Sequence, residues 1–154
     1  MSNTQGDPAI AERQRWMGAL ATAPGSRLKA MWDALDGIPP YQILRAPETG
    51  LVMTRGRVGG AGAAFNIGEM TVTRCSVRLA DGTVGHAYLA GRDKAQAERA
   101  AVLDALLQRP ETAAAIQEQI IQPLLDERAA RDRSRAAKVA ATKVDFFTMV
   151  RGED

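Results

Sequence analysis

Residues 69–91 read EMTVTRCSVRLADGTVGHAYLAG, two alternating runs rich in Val, Thr, Arg and Leu on either side of Asp81-Gly82. An Asp-Gly pair between such runs predicts a β-hairpin with a two-residue type I′ loop, in which both central residues take positive φ. That loop sets Ala80 opposite Thr83, and therefore Leu79 opposite Val84, Val77 opposite His86 and Cys75 opposite Tyr88. These six side chains are expected on the core face. Arg74, Ser76 and Arg78 are expected on the other face, across from Leu89, Ala87 and Gly85, where small neighbours leave room for a planar or anionic ligand.

Working towards the N-terminus, Leu51–Val58 and Tyr41–Ala46 read as two further strands around a turn at Pro47-Glu48-Thr49-Gly50. Arg55 and Arg57 share one side of their strand because side chains two apart project together. The glycines at 59, 60 and 62 that follow fit neither a P-loop nor a dinucleotide fingerprint, since GxxxxGK[ST] is absent and no helix starts directly after them. They are expected to form a flexible connection. Before the strands, Ala9–Ala21 places Ile10, Arg13, Trp16, Met17 and Leu20 at helical spacing, and Pro24-Gly25 ends that helix. Ser26 is the expected cap of a second helix with Leu28, Met31, Trp32 and Leu35 on its apolar stripe. Both Trp residues are expected to pack against the sheet.

Working towards the C-terminus, Asp93 and Gln96 have the spacing of a capping box for a helix that ends before Pro110. Its buried stripe is Ala95, Val102, Leu103, Leu106 and Leu107, and it should lie across the core face. Arg92 stands just ahead of its positive end. Glu111–Ile121 predicts another helix, and Pro123 suits the first turn of a further one. Beyond Leu125 that last helix has no continuous apolar face and should project or lie on another protein. The chain then finishes with Phe146, Phe147, Met149, Val150 and Arg151, an apolar end past a polar spacer, which is expected to dock on a partner, the alternative being that it folds back onto its own domain. The predicted fold is α+β: two N-terminal helices, an antiparallel sheet of about four strands, a covering helix and an extended helical C-terminal arm. Residues 1–8 are expected to be disordered, 9–122 to form one α+β domain, and 123–154 to form the arm and docking tail.

The chain is 154 residues long with a formal net charge of +2, enough for one domain with a core and too weakly basic for a general nucleic-acid binder. The basic Ala-rich helix is the one segment that could support an RNA or DNA contact, and none is expected. Its single cysteine, Cys75, and single histidine, His86, exclude an internal disulfide and any metal site built from Cys and His alone. No apolar run has the length of a membrane span, and the opening MSNTQGDP lacks the regions of a signal peptide, so a cytoplasmic protein is expected. The scattered carboxylates and arginines show no compact acid/base pair, so independent catalysis is not expected.

Several stretches together resemble the PhnG family, small subunits of the bacterial carbon-phosphorus lyase core complex. They are residues 13–17, 48–52, 57–62 with Phe65, 71–74, 77–79 with 81–83, 91–94, and the ending 144–152. The resemblance runs from Arg13 to Gly152 and is thinnest in the first residues and the Ala-rich helix. It implies a role in phosphonate metabolism. Members act with PhnH, PhnI and PhnL to move the ribose triphosphate of ATP onto a phosphonate such as methylphosphonate, releasing adenine and giving ribose 1-methylphosphonate 5-triphosphate. The family also assembles with PhnH, PhnI and PhnJ. The resemblance implies no cofactor bound by this chain alone, ATP and methylphosphonate being substrates of the assembly, and it carries over no catalytic residue. It implies an accessory subunit. The alternative is that Arg55, Arg57, Arg74, Arg78 and Arg92 reach a phosphonate or triphosphate pocket in a composite active site, since forked guanidinium groups suit phosphate oxygens.

Overall fold

In the computed structural model, residues 7–142 are described. Asp7 caps the first helix, its carboxylate accepting from the Ala9 N–H at 3.0 Å, and Pro8 occupies a first-turn position where its missing N–H costs nothing. This helix, α1 (Pro8–Thr22), buries Trp16, Ala19 and Leu20. The second, α2 (Gly25–Asp33), buries Leu28 and Met31. Ser26 lies within its first turn and makes no capping bond, so the expected cap is corrected: the boundary residue is Pro24.

Three strands follow: β1 (Tyr41–Arg57), β2 (Ala64–Leu79) and β3 (Val84–Ala90), with a 3-10 turn at Val58–Gly60. They form one antiparallel sheet in the order β1-β2-β3, three strands where about four were expected. The difference lies at residues 47–50, which do not turn. β1 runs through them, shifting register between Ile43 and Arg45 and again between Arg45 and Glu48. Bulges on an edge strand accommodate Pro47, which has no ladder donor to lose there.

The β2–β3 connection differs by one residue from the expected register. Leu79 N–H donates to Thr83 O at 2.9 Å and Gly82 N–H to Leu79 O at 3.0 Å, so Ala80, Asp81 and Gly82 form a three-residue loop. Only the last of these needs the left-handed region, with φ +91° at Gly82. Asp81 instead uses its carboxylate to accept the Thr83 N–H at 2.9 Å. A one-residue slip turns every β3 side chain over. Val77 pairs with Gly85 and Cys75 with Ala87 on the buried side, while Arg74, Ser76 and Arg78 lie opposite Tyr88, His86 and Val84. The β2 faces are as expected, with Cys75, Val77 and Leu79 buried and Arg74 and Arg78 exposed, but His86 and Tyr88 stand on the outer face and not in the core.

The next helix, α3 (Lys94–Leu107), lies across the core face. Asp93 caps it, accepting from Gln96 N–H at 2.8 Å, but the Gln96 side chain does not reach back to close a capping box. Its Nε2 donates to Ala23 O at 2.8 Å and thereby satisfies an orphan carbonyl past the end of α1. Ala95, expected on the buried stripe, is exposed, whereas every residue from Ala100 to Leu107 is buried because α3 has neighbours on nearly all sides. It comes closest to the sheet at Gly85, where an added Cβ would lie 1.9 Å from Ala101 O.

The remaining helices join end to end: α4 (Pro110–Ile116), a π turn (Gln117–Ile121) and α5 (Gln122–Ala141). Pro123 falls in the first turn of α5, as expected, though the backbone enters α5 through the π turn without leaving the helix. Its ring crowds the preceding turn and it has no N–H to return, and the wider π turn just before it accommodates both defects without a break. Ile116, Ile120, Ile121 and Leu124 complete the core from this helix. From Arg128 to Thr142 every residue is exposed. No helix among the described residues is long and apolar enough to cross a membrane.

Candidate functional site

The outer face of the sheet is built from three cross-strand rows: Gln42, Arg78 and Val84; Arg45, Ser76 and His86; Glu48, Arg74 and Tyr88. Strand alternation puts these side chains on one side, and the β1 bulges bring Arg45 and Glu48 into the rows. Glu48 Oε1 accepts from Arg74 Nε at 2.6 Å and from Arg45 Nη1 at 2.7 Å. Those hydrogen bonds, Arg45 first and then Arg74, hold the Glu48 carboxyl below the usual carboxylate range. Ser76 Oγ lies 2.9 Å from His86 Nδ1. Arg78 has no carboxylate partner among the described residues and borders a recess of about 330 Å³ with Tyr41 and Gln42.

This face can hold an oxyanion with guanidinium and imidazole donors. Apart from the His86 imidazole, it is poorly suited to protonating a departing base. Glu48 is kept ionised by two arginines. The Cys75 thiol, buried beneath the sheet, is pushed up to about 11 by that burial and by Glu98. Tyr41 is pushed up to about 12 by burial and by its 2.6 Å hydrogen bond to Glu98. Neither is ready to exchange a proton near neutrality. No group of three or more His, Cys, Asp or Glu able to hold a metal ion occurs among the described residues.

The other arginines singled out in the sequence stand elsewhere. Arg55 and Arg57 do share one side of β1, near the 3-10 turn, where they border a shallow recess with Gly56, Gly60 and Ala64. Arg55 pairs with Asn66, eight residues along β2 from Arg74, roughly 26 Å at the usual rise per residue. Arg92 is exposed in the turn ahead of α3. The five arginines therefore fall at three places along the fold. Phe146, Phe147, Met149, Val150 and Arg151 lie outside the described residues.

Sequence reasoning missed Asp104. It is wholly buried in α3, yet its carboxylate accepts from Trp16 Nε1 at 2.8 Å, from Arg13 Nη2 at 2.7 Å and from the His86 backbone N–H at 2.9 Å. The signal was present in two pieces: an Asp inside the apolar run 100–107, and Arg13 with Trp16 one turn apart on α1. Beside this node, between α1 and the α3–α4 corner, lies a cavity of about 620 Å³ bordered by Ile10, Arg13, Trp16, Arg109 and Pro110.

The family described as "Phosphonate metabolism protein PhnG" matches residues 11–152. One curated relative, the alpha-D-ribose 1-methylphosphonate 5-triphosphate synthase subunit PhnG of Rhizobium meliloti (strain 1021), is 48% identical over 153 residues, covering 99% of this chain and 97% of its own.

Proposed function

The chain belongs to the PhnG family of phosphonate metabolism proteins, and from that premise we propose that it is an accessory subunit of a ribose 1-methylphosphonate 5-triphosphate synthase. The observation that carries this reading is similarity across nearly the full length of a relative bearing that name. In this reading the chain assembles in the cytoplasm with PhnI, PhnH and PhnJ and acts with PhnL. The assembly transfers ribose triphosphate from ATP to methylphosphonate and releases adenine. That step needs a proton donor at the base, stabilisation of charge on the sugar, and donors or Mg²⁺ for the triphosphate. Among the described residues the side chains supply donors for anions and, His86 apart, no acid suited to neutral pH, which fits a supporting role.

Reconstitution tests the reading. Ribose transfer should be lost when this chain is left out of the assembly, and the pure chain should turn over neither ATP nor methylphosphonate. Deleting residues 143–154 should abolish co-purification with PhnI while the remaining chain stays folded. Turnover by the isolated chain would overturn the accessory role. A second reading, in which arginines of this chain enter a shared substrate pocket, is favoured by one feature: Arg78 and His86 stand exposed on a single sheet face with no carboxylate among the described residues spent on Arg78.

A further inference from the structure

β3 pairs with β2 only over Val72–Arg78, so past it Leu51–Arg57 and Ala64–Thr71 continue as a two-stranded ribbon. Such a ribbon has no third strand to share its apolar load and is marginal in water by itself. This one exposes large apolar side chains on both sides. Along β1 the alternation is unbroken, and Leu51 and Met53 lie on the side of Arg55 and Arg57, 62% and 55% exposed. Phe65, opposite Gly56, and Met70, opposite Val52, lie on the other side. The register shift after Thr54 folds Ile67 over Gly56, where an added Cβ would meet Ile67 Cδ1 at 2.1 Å. Phe65 and Ile67 are nonetheless 46% and 64% exposed. Apolar side chains exposed on both faces of a ribbon belong between two layers, and the described residues supply neither layer there.

Resting on the reading of this chain as a synthase subunit, we infer that the ribbon is an insertion arm. It seats between apolar walls of another subunit of the synthase, with carboxylates of that subunit meeting Arg55 and Arg57. Charge selects this occupant over a second copy of the same chain. Between residues 50 and 72 the only acidic residue is Glu69, so two ribbons packed on each other would set four arginines against two carboxylates. Neither Arg55 nor Arg57 has a salt-bridge partner among the described residues; Arg57 donates only to Gly62 O, at 3.3 Å. Guanidinium groups at the end of an apolar arm fit a cleft closed by acidic side chains.

Two double variants keep strand propensity while removing the apolar surface, L51T/M53T and F65T/I67T, and a third, R55E/R57E, reverses the tip. Each is co-expressed with the other synthase subunits. Wild type should recover the full complex; the threonine variants should recover less by about tenfold or more, and the reversed tip should lose recovery most at low salt. Circular dichroism and thermal unfolding of each pure variant should match wild type, because none of these side chains is in the core. Normal assembly by the threonine variants would overturn the arm. So would a wild-type dimer that they dissociate, since the occupant would then be a second copy. Failure of the wild-type chain to assemble with any subunit would instead bring down the subunit reading, and the arm with it.

Discussion

Arg13 donates to both carboxylate oxygens of Asp104, Nε to Oδ1 at 3.2 Å and Nη2 to Oδ2 at 2.7 Å, joining α1 to α3 across the centre of the molecule. Trp16 and the free edge of β3 share the same carboxylate. Asp104 is fully buried, so its charge is tolerable only while these donors remain. Asp104→Ala strands a buried indole N–H and a backbone N–H and should cost about 3–5 kcal/mol in urea unfolding. Arg13→Ala should cost a comparable amount, and the double variant much less than the sum. A loss below about 1 kcal/mol for Asp104→Ala would remove the node from its place in the fold.

Two glycines in opposite surroundings give opposite predictions. At Gly85 a Cβ would lie 2.6 Å from Ala105 N as well as 1.9 Å from Ala101 O, both backbone atoms that cannot rotate away. Gly85→Ala should lift α3 from β3 and cost about 3 kcal/mol or more. Gly18 lies inside α1 with nothing within 4 Å of an added Cβ. Gly18→Ala should stabilise by about 0.5–1 kcal/mol through helix propensity alone. Thermal unfolding of the two variants should shift in opposite directions.

Much of this is legible in the sequence, wherever local chemistry decides the outcome. The Asp93 cap, the Pro110 break and the buried Cys75-Val77-Leu79 face of β2 follow from sequence signals that act within a few residues. The errors came where distant partners decided. An Asp-Gly pair serves a two-residue loop or the end of a three-residue one, and the choice rests on which β3 face α3 will accept; Gly85 fits that contact and His86 does not. Pro47 and Gly50 resemble a turn until β2 is present to pair with the strand that runs through them. The outer-face cluster was half visible, since its arginines were placed correctly on β2 while its imidazole and phenol depended on the register.

Burial of Cys75 gives the protein an alkaline limb of stability. The folded state raises the thiol from its ordinary value near 9.0 to about 11, so it holds its proton where the unfolded chain has lost it. The contribution is therefore complete below about pH 9 and is lost as pH rises from about 9 to 11. Tyr41, raised from 10.0 to about 12, adds a second loss at still higher pH. Cys75→Ala should flatten the first part of the limb and leave the second. At pH 8 a thiol reagent should label native Cys75 more slowly than denatured protein by about a hundredfold or more, given the missing thiolate and the covered sulfur. Equal rates would contradict both.

Glu48 decides how much positive charge the outer face offers. Its carboxylate occupies Arg45 and Arg74, so of the two β2 arginines Arg78 is the one without a carboxylate among the described residues. Glu48→Gln should release both guanidinium groups, strengthen binding of inorganic triphosphate to the pure chain severalfold at low salt, and leave thermal unfolding nearly unchanged because the pair is exposed. Its depressed carboxyl contributes stability only above the ordinary carboxylate range, a contribution lost as pH falls, so Glu48→Gln should differ from wild type least in acid. Anion binding of this kind is a property of the face and does not place it at the reaction. For an accessory subunit, the R74Q/R78Q variant should assemble normally and support ribose transfer within about twofold of wild type, since its arginines would act neither on the base nor on the sugar. A hundredfold slower transfer by an intact assembly would carry the opposite meaning: Arg74 or Arg78 would then contact the transferred triphosphate, and the outer face of this sheet would be one wall of the active site.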